Sequence, residues 1–224
     1  MRQRLIKGTG NLCAFTLVEL LVVISIIGVI AGLVVAAAGS SSIKKMEKQT
    51  AAQMAKIEIA IESFKGTYGT LPPTAPTVTD HRINTLFYEL SGTHYIPDAG
   101  TPANSVYRSI FDPTHSLTTA AVQGTFGNAV AGIVNNHVVT SNPAPFIEFK
   151  TSAEYAKVTG GIYLLQVPAK KPAVLTNPSV SNDGLNFWYY RAYPANGYNP
   201  TGYDLWAVIP GKGRETNVVS NWKR

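Results

Sequence analysis

The chain has 224 residues, a formal net charge of +6 and 14% charged residues. This length allows one membrane segment and one medium-sized soluble domain with a hydrophobic core, or at most two small domains, and we expect one domain. No lysine and arginine cluster is interleaved with aromatic residues, so the composition gives no reason to expect a nucleic-acid partner. The only cysteine, Cys13, lies just before a long apolar run, so the body of the protein can form no internal disulfide and no thiolate metal site.

Residues 14–39, AFTLVELLVVISIIGVIAGLVVAAAG, form an apolar run that contains one charged residue, Glu19. Three basic residues precede this run, Arg2, Arg4 and Lys7. The run is long enough to predict a single membrane-spanning helix, and the positive-inside rule places its N-terminal end in the cytoplasm. We therefore expect the C-terminal domain to lie on the outer side of the membrane.

The apolar run is also compatible with two other kinds of segment. Ala36 and Ala38 would suit the cleavage site of an ordinary secretory signal, but the apolar run is longer than such signals usually have. An uncleaved anchor would leave Glu19 unexplained, because a carboxylate within a membrane segment is costly unless it has a partner.

The segment AFTLVELLVVISIIGVIAGL resembles the class III signal of type IV pilins and of type II secretion pseudopilins. This resemblance implies a leader peptide, residues 1–14, which a prepilin peptidase removes between Ala14 and Phe15 before it methylates the new N-terminus of Phe15. Ala14 stands where the family usually has glycine. The resemblance also implies that Glu19 pairs with the α-amino group of a neighbouring subunit as the helices stack, each charge reducing the cost of the other.

No proline occurs between Phe15 and Lys65, so the sequence predicts one long helix there. Its first half, residues 15–39, is predicted to form the membrane span and filament core, where Gly28 and Gly32 have the spacing for close helix packing. Its second half, residues 40–65, is amphipathic and should project. Four apolar residues at spacings of three and four form a stripe that should pack against a globular domain: Met54, Ile57, Ile61 and Phe64.

Residues 66–224 are predicted to form that globular domain. The middle of the chain contains the helical pattern HRINTLFYEL, with Ile83, Leu86, Phe87 and Leu90 on one face. The segments GGIYLLQVP, NFWYYRAYP and YDLWAVIPG predict an antiparallel meander near the C-terminus. The last of these begins the stretch YDLWAVIPGKGRETNVVSNW, which is similar to the end of the major pseudopilin. The expected fold class is α+β and pilin-like, with the long N-terminal helix packed against a C-terminal antiparallel sheet.

Catalytic and metal chemistry are not predicted. The histidines, His81, His94, His115 and His137, have no metal-ligand spacing, and no motif of a nucleophile or a phosphate loop occurs. The family resemblance suggests calcium in the loop before the terminal Asn-Trp. That loop contains one acid, Glu215, whereas calcium requires several oxygen ligands. We therefore expect no enzyme activity, no metal and no cofactor.

The predicted function is that of a structural subunit of a periplasmic pilus-like filament, the pseudopilus of a type II protein secretion system. Its expected partners are copies of itself, other pilin-like subunits, a prepilin peptidase and an inner-membrane assembly platform. The expected localisation is a single-pass protein of the inner membrane with a periplasmic C-terminal domain. Two alternatives stay open, a type IV pilus or competence pilin and, from another class, a membrane-anchored periplasmic binding protein or enzyme.

Overall fold

The structure is a computed structural model that describes residues 16–138, 145–150, 153–180 and 184–223, with side chains omitted at 34–41. Within these residues the protein combines helices with short strands in three sheets. The predicted α+β class is therefore confirmed. The chain divides into two units, Met1–Ser42 and Ile43–Arg224.

Helix α1 comprises Leu17–Tyr68 and contains no proline. Gly69 ends it in the left-handed conformation, with a φ of +70° and an N–H that donates to the carbonyl of Lys65 over 2.8 Å. Glycine is favoured at this position because it has no Cβ to strain that conformation. The sequence predicts the end of the helix at Lys65, whereas in the structure Gly66 lies inside the last turn of α1.

The predicted membrane span is wrong. In the part of the chain that the structure describes, no helix is both long enough and apolar enough to cross a membrane. The single-pass inner-membrane localisation, with the N-terminus in the cytoplasm and a periplasmic domain, is corrected accordingly.

A four-stranded mixed sheet follows α1 in the chain. It has the strand order β3-β2-β1-β4, with β1 and β4 parallel and the other neighbours antiparallel. The elements of this region are α2 (Leu86–Ser91), β1 (Thr93–Ile96), a 3₁₀ turn (Pro102–Asn104), β2 (Val106–Ser109), β3 (Ser116–Thr118), α3 (Thr119–Phe126) and β4 (Asn136–Val138). Helix α2 is shorter than the predicted pattern, because Ile83 precedes it in a turn in which the side chain of Asn84 accepts from the N–H of Leu86.

The remaining strands form two antiparallel sheets. Their bounds are β5 (Tyr155–Lys157), β6 (Tyr163–Leu165), β7 (Tyr189–Ala192), β8 (Tyr203–Pro210) and β9 (Thr216–Ser220). Strands β7, β8 and β9 form a meander in that order, whereas β6 pairs with β5 and reaches β7 only through an isolated bridge between Gln166 and Phe187. The sequence predicts a meander of the segments that contain β6, β7 and β8. In the structure the meander consists of β7, β8 and β9, and β6 belongs to another sheet.

The inner face of β8 contributes to the core of the second unit. Leu205, Ala207 and Ile209 alternate along this strand and are fully buried, as period-two patterning requires. The apolar residues of α1 beyond Ile43 belong to the same core.

Candidate functional site

The candidate site is the apolar segment of α1, Leu17–Leu33. Every leucine, isoleucine and valine in it is between 44% and 78% exposed, on all sides of the helix. A helix that is hydrophobic all round is normally covered by other molecules or by protein. Exposed apolar surface of this extent marks an interaction site.

Thr16 and Glu19 form a reciprocal capping box at the start of this segment. The Glu19 Oε2 atom accepts from the Thr16 backbone N–H over 2.9 Å and from its hydroxyl over 2.7 Å. The Thr16 hydroxyl in turn accepts from the Glu19 backbone N–H over 3.2 Å. These bonds satisfy N–H groups that a helix start leaves without partners. Sequence analysis missed this role, although Thr-Leu-Val-Glu has the spacing that signals it.

The Glu19 carboxylate is held in its charged form. The backbone N–H of Thr16, and after it the Thr16 hydroxyl, lower the pKa of the Glu19 carboxyl below its usual value. Among the described residues, Thr16 alone bonds to this carboxylate, and it does so at Oε2. These bonds leave the second oxygen, Oε1, outside the capping box.

Gly28 and Gly32 lie on the apolar segment with open space around them. A Cβ built on either glycine would meet no atom of the chain within 4 Å. Nothing within the described part of the chain therefore requires glycine at these two positions. The predicted cleavage site, Ala14 and Phe15, lies outside the described residues.

The predicted packing stripe lies in the second unit, and all four of its residues are buried. Ile61 and Phe64 are fully buried, and Ile57 and Met54 are nearly so. The Phe64 ring contacts Tyr68 at a centroid distance of 4.7 Å and Phe146 at 5.6 Å. The stripe thus belongs to the core.

Polar contacts beside the stripe attach the same part of α1 to the strands. The Gln53 amide donates to the carbonyl of Gln166 over 3.1 Å and accepts from the Trp188 indole over 3.1 Å. Lys56 makes an ion pair with Glu154 at 2.6 Å. These partners come from distant parts of the sequence, so the sequence pattern did not indicate them.

The C-terminal loops are closed by hydrogen bonds from side chains to the backbone. The Asp204 carboxylate accepts from the backbone N–H groups of Tyr198 and Asn199 over 3.0 and 2.9 Å. The Asn221 side chain donates to the Tyr203 carbonyl and accepts from the Leu205 N–H. Within the described residues, no group of three His, Cys, Asp or Glu side chains is placed to hold a metal ion.

Two buried polar groups were not anticipated. Glu89 on α2 is fully buried, and its carboxylate accepts from the backbone N–H groups of Val134 and Asn135 over 2.9 and 2.8 Å. Burial raises the pKa of Glu89 to about 8, and the two N–H donors oppose that shift. The Tyr88 hydroxyl lies 2.8 Å from Nε2 of His115 and accepts from the backbone N–H of Tyr163. Glu89 thus connects α2 to the segment before β4, and Tyr88 connects α2 to His115 and to β6.

The comparisons with known proteins give no match. The chain matches no protein-family profile, no curated protein and no solved structure.

Proposed function

We propose that this chain is the structural subunit of a pilus-like filament, the pseudopilus of a type II protein secretion system. A prepilin peptidase cleaves it between Ala14 and Phe15, and it polymerises through the apolar segment with copies of itself and other pilin-like subunits. The observation that carries the proposal is the apolar segment, exposed on all sides behind an ionised Glu19. The pilin-like fold belongs to the same proposal.

The energetics of the apolar segment favour association between copies. Full burial of one leucine, isoleucine or valine side chain contributes roughly 1.5–3 kcal/mol relative to exposure. All such side chains from Leu17 to Leu33 are exposed in one copy, so helices that pack side by side bury a large apolar area. The open surface at Gly28 and Gly32 allows the backbones of two helices to approach closely.

Glu19 supplies the electrostatic part of the proposed contact. Cleavage before Phe15 creates an α-amino cation next to the helix start. In a packed bundle this cation requires a counter-charge, because an unpaired buried charge is strongly unfavourable. The Oε1 atom of Glu19 on a neighbouring copy provides that charge, while Oε2 keeps its bonds to Thr16.

Processing is tested by mass spectrometry of the N-terminus. The full chain is coexpressed with a prepilin peptidase and, as a control, with a catalytically inactive peptidase. The expected product begins with N-methylated Phe15 and appears only with the active enzyme. A product that begins at Gly39 with either enzyme would show an ordinary signal peptide and contradict the proposal.

Assembly is tested with two substitutions that separate the charge of Glu19 from its capping role. Glu19→Gln removes the charge but keeps a side chain that is compatible with the capping box, whereas Thr16→Ala removes the cap and keeps the charge. We expect Glu19→Gln to abolish filaments and Thr16→Ala to retain them, at matched protein levels and with cleavage intact in both. Filament yield is measured by shearing and electron microscopy. Normal filaments with Glu19→Gln would contradict the pairing role.

A further inference from the structure

The outer face of the β7-β8-β9 sheet carries a continuous row of aromatic rings. On β8, Trp206 alternates with the buried inward residues and pairs in register with Tyr189 on β7. Trp222 follows β9, and Tyr198 lies in the loop before β8. We call this row the aromatic strip; it consists of His81, Tyr189, Trp206, Trp222 and Tyr198.

The rings of the aromatic strip contact one another in sequence. Tyr189 stacks on Trp206 with centroids 4.9 Å apart, and Trp206 meets Trp222 edge to face at 5.6 Å. Tyr198 lies nearly parallel to Trp222, with centroids 4.2 Å apart and planes 8° from parallel. Tyr198 is nevertheless 68% exposed. The strip therefore presents preoriented ring surface to solvent.

A cavity of about 290 Å³ lies beside these rings. Polar and charged groups line it together with the two tryptophans: Arg191, Asn196, Asp204 and Lys223. Arg191 makes no ion pair with any residue in the part of the chain that the structure describes. Trp222 holds its indole Nε1 buried without a hydrogen-bond partner there, which is unfavourable until an acceptor reaches it.

We propose that this surface is a saccharide-binding site, in which a pyranose ring lies against the aromatic strip and its hydroxyls occupy the cavity. One face of a pyranose presents polarised C–H groups, which the negative face of an aromatic ring attracts. Hydroxyls both donate and accept hydrogen bonds, so they match a lining that contains guanidinium and amide donors together with amide and carboxylate acceptors. The proposal is independent of the filament function.

The charges of the site distinguish a saccharide from a single-stranded nucleic acid. Nucleic acids also stack on aromatic rings, but their backbone requires a groove of positive charge. Here the carboxylate of Asp204 lines the cavity beside Arg191 and Lys223. That carboxylate would repel an anionic phosphate, whereas it would not repel a neutral hydroxyl.

The binding test uses the full chain in a zwitterionic detergent without a sugar headgroup. Chitohexaose and cellohexaose, two β-linked pyranose hexamers, are titrated by calorimetry and by tryptophan fluorescence. We expect saturable binding of at least one of them. Tyr198→Ala should weaken it roughly tenfold, because it removes the most exposed ring of the strip. Arg191→Gln should also weaken it, since it removes a charged donor.

The matched control is Tyr193→Ala, which removes another exposed tyrosine that is not part of the strip. It should leave the affinity unchanged, and far-ultraviolet circular dichroism should show the same fold for all variants. Absence of binding to both hexamers would overturn the proposal, as would equal affinity for the Tyr198→Ala variant. Tighter binding of a dT20 oligonucleotide, lost with Tyr198→Ala, would assign the site to nucleic acid instead.

Discussion

Two parts of helix α1 differ in how far their apolar side chains are buried. From Ile43 onward the helix is amphipathic, and its stripe through Phe64 is buried in the core of its own unit, while Ile59 is 68% exposed. In the apolar segment Leu17–Leu33, apolar side chains lie on every side of the helix, and each leucine, isoleucine and valine is at least 44% exposed. A helix that finds its partner in its own chain needs only one apolar face. A helix that is apolar all round requires partners from outside.

The largest effect should come from truncating the packed stripe. Phe64→Ala should lower the free energy of unfolding of the second unit by about 3–5 kcal/mol, because it removes a fully buried ring and leaves a cavity. Ile27→Ala in the apolar segment and Ile59→Ala should change it little, since both side chains are exposed. Urea denaturation followed by tryptophan fluorescence measures the three variants. An equal loss for Ile27→Ala would remove the contrast between the two parts of the helix.

A second contrast concerns two glutamates. Glu19 is exposed with a lowered pKa, whereas burial raises the pKa of Glu89 to about 8 from an ordinary value of 4.5. Between pH 4.5 and about pH 8, the Glu89 carboxyl therefore binds its proton more tightly in the folded state than in the unfolded state. The contribution of Glu89 to stability is therefore fully present below pH 4.5 and is lost as pH rises through about 8.

This pH dependence is measured by denaturation at several pH values. Glu89→Gln should remove the decline between pH 5 and pH 8.5, and it should lower stability at pH 5 by about 1–3 kcal/mol, because a side-chain NH₂ replaces one acceptor of the two backbone N–H groups. Glu19→Gln serves as the control and should keep the wild-type slope. A slope that survives in the Glu89→Gln variant would assign the titration to another group.

The third comparison concerns two glycines. A Cβ at Gly197 would lie 2.2 Å from Oδ2 of Asp204 and 2.5 Å from Pro194, whereas a Cβ at Gly32 would meet nothing within 4 Å. Gly197→Ala should therefore destabilise the second unit by about 1–3 kcal/mol. Gly32→Ala should leave its stability intact and reduce filament yield. A drop in stability with Gly32→Ala would show a contact within the chain instead.

The core-facing residues of α1 and β8 could be predicted, because their spacing is visible within a few residues of sequence. The packed stripe repeats every three to four residues, and the inner residues of β8 repeat every two, so short windows contain both signals. The spacing of Thr16 and Glu19 also predicts the capping box. The family resemblance, in contrast, assigns a role only to the charge of Glu19.

Other features depend on contacts between distant residues. Strands β1, β3 and β4 have three or four residues each, too few to show periodicity, and β1 pairs in parallel with a strand more than forty residues later. The acceptor role of Glu89 depends on that same fold, because its donors are at 134 and 135. A glutamate in a helical pattern usually indicates a solvated face, so no local signal predicted its burial.

The reciprocal bonds between Thr16 and Glu19 also influence the entropy of association. Terminal turns of helices fray unless their N–H groups are satisfied, and ordering one residue costs roughly 1–2 kcal/mol in conformational entropy. Because the capping box orders the first turn within a single copy, a neighbour that docks against it does not have to supply this free energy. In a filament formed as proposed, each added subunit would arrive with its helix start preorganised. Loss of the cap would then raise the subunit concentration at which filaments begin to form, while filaments would still form above that concentration.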